Sequence, residues 1–139
     1  FSYYPMNLSL LYLVPLYFGN DIIPNFIHLS FGLGTAVLLY SYLNKRCGQF
    51  AGLLGALMFI SLPTILRTAT TAYVDVGLVF FTTLSVLSYV YWRDTEYQSN
   101  GWLLVSAIAM GLALGTKYSA LPVWFFLTLA IVFVYARET

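Results

Sequence analysis

The stretch that decides the fold is "TAYVDVGLVFFTTLSVLSYVYW", residues 71–92. It is apolar over a length that would cross a bilayer, and it holds one carboxylate, Asp75, near its start. An ionised side chain at the centre of a bilayer costs about 2.5–3.5 kcal/mol on insertion scales. Asp75 is therefore predicted to lie near an aqueous face of a membrane helix or to take part in chemistry.

Composition agrees with a membrane protein. Of 139 residues, 60% are hydrophobic and 8% are charged, whereas about a quarter of a soluble domain is charged. The net charge is +1 with the cations scattered, which excludes the basic patch that nucleic-acid binding requires. One cysteine, Cys47, and one histidine, His28, provide neither an internal disulfide nor a thiolate–imidazole metal cluster. The chain opens on Phe1 without the features of a signal peptide, so we expect an internal piece of a larger protein.

Apolar runs separated by short polar joints predict an all-α fold: one membrane-embedded domain that is a polytopic transmembrane helical bundle. A crossing takes about 20 residues. The segment 1–21, interrupted by two prolines, is expected to be an interfacial helix or the tail of an external loop. Pro63 predicts that the second span ends or bends before "TILRTATT". The predicted spans are about 22–43, 50–66, 72–92, 102–116 and 118–136.

Positive charges orient the bundle. Cytoplasmic loops carry an excess of Lys and Arg, and assigning the joints to the two sides divides the six cations four against two. The inner group is Lys45, Arg46, Arg93 and Arg137, and the outer group is Arg67 and Lys117. This arrangement predicts that Asp21, Arg67, Asp75 and Lys117 gather at the extracytoplasmic face.

Small residues recur every four positions in two of the spans. One set is Gly48, Gly52 and Ala56, and the other is Ala107, Gly111 and Gly115. Such strips allow helix backbones to approach closely in a membrane. We expect them to pack helices and assign them no chemistry.

A polar stripe passes through Asp75 at helical spacing. Its other members are Arg67, Thr68, Thr71 and Thr82. With Lys117 predicted at the same surface, two cations and one carboxylate would suit a phosphate-bearing ligand, with a divalent cation as an optional bridge. An equally good interpretation is that Asp75 pairs with Arg67 or Lys117, or favours its helix N-terminus electrostatically.

Three further polar residues are given structural roles. His28 is predicted to make a hydrogen bond near the interface instead of ligating a metal. Asp21 is predicted to begin a helix or turn. Cys47 is expected to be inert.

Two motifs resemble a known superfamily. "TAYVDVGLVFFTTLSVLSYVYW", followed after a polar loop by "AIAMGLALGTKYSALPVW", is similar to the GT-C membrane glycosyltransferases, most closely their protein O-mannosyltransferase-like branch. Asp75 and the "GTKY" of residues 115–118 carry most of the weight. The upstream "YYP" and the apolar run from Gly48 to Pro63 are also similar.

The resemblance implies a multi-pass enzyme of the cell (inner) membrane that takes a sugar from a polyprenyl-phosphate carrier, a lipid-linked donor, to a protein, lipid or glycan acceptor outside the cytoplasm. Asp75 would be the supporting acidic residue and a possible ligand of Mg²⁺ or Mn²⁺. Arg67, Lys117 and Tyr118 would bind the donor phosphate. The principal acidic residue of the family would precede Phe1, so we expect this piece alone to be inactive.

Two other classes stay open at this point. A transporter or proton-coupled carrier also places a lone aspartate among its spans, although its charges usually lie near the bilayer midplane. A noncatalytic membrane scaffold is the third possibility. In each case membrane lipids are the surrounding partners.

Overall fold

The computed structural model describes residues 5–19, 22–69 and 74–138. Within these ranges the chain forms seven α-helices and one 3₁₀ turn, and no strand. The all-α prediction is confirmed. The helices are α1 Asn7–Tyr17, α2 Ile22–Cys47, α3 Gln49–Ser61, α4 Pro63–Ala69, α5 Asp75–Asp94, α6 Asn100–Thr116 and α7 Leu121–Glu138, with the 3₁₀ turn at Tyr118–Ala120.

Two helices are long and apolar enough to cross a bilayer: α2 with 26 residues and α5 with 20. α1, α3, α6 and the segment Tyr118–Val134 are shorter apolar helices. Large apolar side chains are widely exposed on the outside of the helices, including Phe126 and Phe133 of α7 at 70% and 68%. Such surfaces suit a lipid environment, and the number of crossings stays a prediction.

The predicted span 50–66 is divided by a proline. Leu62 is extended, with φ −60° and ψ 122°, as expected for a residue that precedes proline. Pro63 then occupies the first position of α4, where its missing N–H costs nothing. The chain therefore ends α3 before "TILRTATT", as Pro63 predicted, and continues in a short separate helix.

The predicted span 118–136 begins later than expected. α6 ends at Thr116, and Lys117 is extended with φ −159° and ψ 141°. A 3₁₀ turn follows, and α7 starts only at Leu121. The N–H of Lys117 donates to the carbonyl of Ala113 at 3.1 Å, which satisfies one of the last carbonyls of α6.

The most extensive helix contacts are those of α5 with α6 and of α2 with α3. Between α5 and α6, the buried hydroxyls of Ser85 and Ser106 each donate to the other's carbonyl oxygen at 2.8 Å. Between α2 and α3, a methyl group at Gly52 would lie 3.0 Å from the carbonyl oxygen of Tyr40. These contacts hold the helix pairs at close range.

The predicted small-residue strips serve only in part as helix interfaces. Gly52 packs as expected, whereas Gly48 has φ +90° and makes the turn between α2 and α3. Among the described residues, no atom lies within 4 Å of a methyl group built on Gly111. Gly115 contacts the side chain of Asn7 in α1. The expectation that the α6 strip packs helices is therefore met at Gly115, which lies against α1, and not at Gly111, which lines a cavity between α6 and α7 together with Ala107.

α1 runs across the ends of three other helices. Asn7 touches Gly115 of α6, Leu8 touches Gly77 in the first turn of α5, and Tyr12 bonds to His28 of α2. The remaining large side chains of α1 are exposed, among them Leu10, Leu13 and Val14. That α1 is an interfacial helix or the tail of an external loop stays a prediction.

Candidate functional site

Asp75 and Lys117 form an ion pair between α5 and the turn that follows α6. The ammonium of Lys117 donates to Oδ1 of Asp75 at 2.7 Å. Both side chains are about half exposed, 45% for Asp75 and 48% for Lys117. The structure thus places these two residues at the same end of the bundle, and neither is enclosed by hydrocarbon-like packing.

Local structure explains why the two charges meet. Asp75 occupies the first turn of α5, where the helix dipole favours a carboxylate. Lys117 lies where α6 has just ended and the backbone is extended, so its side chain leaves the axis of α6. Just before it, Thr116 is buried and its hydroxyl donates to the carbonyl of Leu112 at 2.8 Å. The motif "GTKY" therefore combines a helix end with a cation that points out of it.

A cavity of about 390 Å³ opens beside this pair. Three elements build its wall: the N-terminal part of α1, the residue before α5 and the end of α6. Most of the wall is apolar, with the ammonium of Lys117 as its charged group. The lining residues are Pro5, Met6, Ser9, Val74, Thr116 and Lys117.

A family model described as dolichyl-phosphate-mannose-protein mannosyltransferase matches residues 6–138. The chain belongs to this family. Comparisons with curated proteins and with solved structures give no match. Membership in this mannosyltransferase family makes the complete protein a membrane glycosyltransferase that uses a lipid-linked sugar donor, and it favours that class over the carrier or scaffold that the sequence alone left open.

The other residues predicted for the site are located as follows. Arg67 is exposed in the last turn of α4, which contacts α5. Tyr118 is 51% exposed in the 3₁₀ turn directly after Lys117. Their participation in donor binding stays a prediction. Asp21 and Thr71 lie outside the described residues, and of Thr68 only the backbone is described.

Thr82 does not extend the site. Its hydroxyl donates to the carbonyl of Leu78 at 2.8 Å, within α5 itself. A threonine that bonds back to its own helix needs no water or ligand. The polar stripe predicted from helical spacing therefore ends near Asp75 instead of continuing along α5.

A divalent cation finds only part of a site here. Among the residues that the structure describes, no group of three or more His, Cys, Asp and Glu side chains could hold a metal ion. Of the described residues at this end, Asp75 is the one that offers a carboxylate, and Lys117 already neutralises it. Mg²⁺ needs octahedral oxygen ligands, several of them from water or phosphate. The described residues do not make a complete metal site, so we derive no chemical step through a metal.

His28 makes the predicted hydrogen bond, and its partner could not be foreseen. The hydroxyl of Tyr12 and Nδ1 of His28 share a bond of 2.9 Å, with the direction set by the imidazole tautomer. Both side chains are buried, Tyr12 at 5% exposure and His28 at 0%. Burial raises the pKa of Tyr12, which lies outside the two helices long enough to cross a bilayer, so the phenol stays protonated at neutral pH. Tyr12 and His28 are 16 positions apart and lie in different helices, so helical periodicity in the sequence does not indicate that they meet.

Proposed function

We propose that the complete protein transfers mannose, or a closely related hexose, from a polyprenyl-phosphate carrier to an acceptor outside the cytoplasm. The observation that carries the proposal is the Asp75–Lys117 ion pair, whose lysine lines the 390 Å³ cavity. A cation beside a largely apolar space suits a ligand with a phosphate head and a lipid tail. The family's lipid-linked donor has this chemistry.

The reaction requires three changes of bonding. The acceptor oxygen forms a bond to the anomeric carbon of the sugar, and the bond from that carbon to the phosphate oxygen breaks. The acceptor proton passes to a base, which we do not assign among the described residues. Negative charge grows on the departing phosphate, and a fixed cation stabilises that charge more in the transition state than in the bound donor. We assign this role to Lys117, with Arg67 and Tyr118 as further donor-phosphate contacts.

Asp75 has a supporting role in this scheme. The carboxylate holds the lysine ammonium at the cavity opening, so Lys117 does not have to be ordered when the donor arrives. The pair is half exposed, and an exposed pair is worth only about 0–1 kcal/mol of stability. The donor phosphate can therefore share the ammonium at little cost.

The extracytoplasmic face is proposed from charge. The end of the bundle that holds Asp75 carries two cations, Arg67 and Lys117. The remaining four of the six Lys and Arg residues belong to the opposite end. Under the positive-inside rule that opposite end faces the cytoplasm.

The proposal is tested with Asp75→Asn in the complete protein. We expect sugar transfer to fall by about 10- to 100-fold, because the ammonium loses its fixed position. Membrane insertion should be unchanged. The measurement is incorporation of radiolabelled mannose from a polyprenyl-phosphate mannose into membranes that contain the natural acceptor.

The matched control is Asp94→Asn, which removes the carboxylate of the ion pair at the opposite end of the bundle. It should transfer sugar within about twofold of the wild type, as surface substitutions away from a site usually do. Near-normal transfer by Asp75→Asn, with equal amounts of both variants in the membrane, would contradict a functional Asp75.

A further inference from the structure

α1 contributes directly to the wall of the Lys117 cavity. Pro5 and Met6 precede the helix, and Ser9 lies in its first turn; all three line the cavity. Tyr12 follows Ser9 by three residues, which is about one helical turn. A rotation or shift of α1 at Tyr12 would therefore move the cavity wall at Ser9.

Few specific contacts hold α1 in place among the described residues. Asn7 lies against Gly115 and Leu8 lies against Gly77. The hydroxyl of Tyr12 supplies the side-chain hydrogen bond that joins α1 to α2. This bond is completely buried, and a buried polar group that loses its partner costs more than the bond itself contributes. Most other side chains of α1 are exposed and apolar, so they do not fix its position against the other helices.

We propose that Tyr12 and His28 are positioning residues for donor binding: their hydrogen bond fixes α1 so that its first turn closes one side of the Lys117 cavity. Neither side chain lines the cavity, so both act through α1. This inference rests on the proposed function, because it takes the cavity beside Lys117 to be where the lipid-linked donor binds. It extends the site beyond the charged residues to a second pair about one helical turn from the cavity wall.

The first test is kinetic and uses Tyr12→Phe in the complete protein. The phenylalanine keeps the ring and removes only the hydroxyl. We expect the KM for a polyprenyl-phosphate mannose to rise about three- to tenfold, which corresponds to the net free energy of one hydrogen bond. kcat should stay within about twofold, because the variant loosens binding without touching the reacting atoms.

Tyr17→Phe is the matched control. Tyr17 lies in the same helix and is 85% exposed, so its kinetic constants should equal those of the wild type. A fall in kcat with unchanged KM in Tyr12→Phe would overturn the positioning role. Unchanged KM and kcat would overturn it as well.

The second test exchanges the other partner. His28→Gln keeps a side chain that both donates and accepts hydrogen bonds, whereas His28→Leu has neither capacity. We expect the glutamine variant to keep a KM closer to the wild type than the leucine variant. Equal KM values in two variants of equal thermal stability would overturn the proposal. If Tyr12→Phe fails to accumulate in the membrane, the comparison of His28→Gln with His28→Leu still tests the proposal.

The third test needs no sugar transfer and separates this inference from the proposed function. Leu8→Cys is introduced into a protein in which Cys47 and any other cysteine are replaced by serine; Leu8 is 3% exposed and lies against Gly77 of α5. A water-soluble maleimide should label the thiol at position 8 several-fold faster when Tyr12→Phe is added, because α1 leaves its place more often. Equal labelling rates would overturn the role of the bond. Faster labelling in a protein that transfers no sugar would leave the α1 contact standing and remove the proposed function.

Discussion

Each end of the bundle has an ion pair, but the surroundings of the two pairs differ. At one end Lys117 pairs with Asp75, and at the other Arg46 pairs with Asp94. Each pair joins residues far apart in sequence: one ties α5 to the turn that follows α6, and the other ties α5 to α2. The side chains are 45–48% exposed at the Asp75 end and 26–39% exposed at the Arg46 end.

The two pairs differ in the groups that surround each cation. At the Arg46 end, aromatic rings cover the positive charges: Arg46 lies 5.4 Å from the ring centre of Tyr42 and Lys45 lies 4.7 Å from that of Tyr91. Cations over aromatic faces are satisfied within the protein. At the Asp75 end, Lys117 lines a cavity instead. An ion pair alone therefore does not mark a site. The paired cation Lys117 lines a cavity, whereas the paired cation Arg46 lies over an aromatic ring, and a cavity of about 260 Å³ at the Arg46 end is lined by Arg137.

The largest effect should come from neutralising the two cations in turn. Lys117→Met in the complete protein is expected to lower sugar transfer by about 100-fold or more, because one group that stabilises developing charge is removed. Arg46→Met should change transfer by about twofold or less. The rates are measured at saturating donor in membranes with equal amounts of each variant.

Arg46→Met also controls for the loss of any interhelical ion pair. Equal losses in the two variants would mean that both pairs act only by holding helices together. The functional distinction between the two ends would then be wrong.

Exchanging the charges sharpens the same comparison. The double variant Arg46→Asp with Asp94→Arg restores an ion pair at its end, and we expect stability and transfer near the wild type. The double variant Asp75→Lys with Lys117→Asp also restores a pair, but its cation now stands at the start of α5. Transfer should fall by roughly tenfold, since displacing a catalytic group by about 1 Å can cost up to 100-fold. Recovery of full transfer at the Asp75 end would show that only the pairing matters there.

The sequence predicts which charges lie at which end of the bundle because charged side chains in an apolar chain are costly anywhere except at helix ends. Four charged residues each interrupt or end an apolar run: Asp75, Lys117, Arg46 and Arg93. The helix boundaries, and the end of the bundle at which each charge lies, therefore follow from insertion costs. The break at Pro63 follows from proline geometry in the same way. The family resemblance on Asp75 and "GTKY" agrees with the family that matches residues 6–138.

The contacts of α1 could not be predicted. Asn7 contacts Gly115, which lies 108 residues later in the sequence. Tyr12 bonds to His28, which lies 16 residues later. Only the fold of the chain brings these residues together. Spacing likewise extended the polar stripe to Thr82, because periodicity gives a helix face but not whether a hydroxyl bonds to its own backbone. Spacing also gives the small residues of α6 one shared packing role, whereas Gly115 lies against α1 and Gly111 lines a cavity.

A matched pair of glycines tests how closely α1 packs at the Asp75 end. A methyl group at Gly111 meets no described atom, whereas one at Gly115 overlaps the amide of Asn7. Gly111→Ala should therefore stabilise the protein by about 0.4–1 kcal/mol through the unfolded chain. Gly115→Ala should lose that gain, because Asn7 has to move. Thermal unfolding in one detergent compares the two, and equal gains would mean that α1 does not pack against α6 as described.

The smallest effect should appear in the stability of the two ion pairs themselves. A double-mutant cycle on Asp75 and Lys117 should give a coupling of about 0.2–1 kcal/mol, because both side chains are half exposed. The cycle on Arg46 and Asp94 should also be small, and both couplings should decrease as salt is raised. If instead the Asp75 pair proved much the stronger, the ammonium would be costly to share with a phosphate. Weak coupling there, combined with a large loss of transfer in Lys117→Met, would mean that the ion pair positions the lysine for a ligand more than it stabilises the fold.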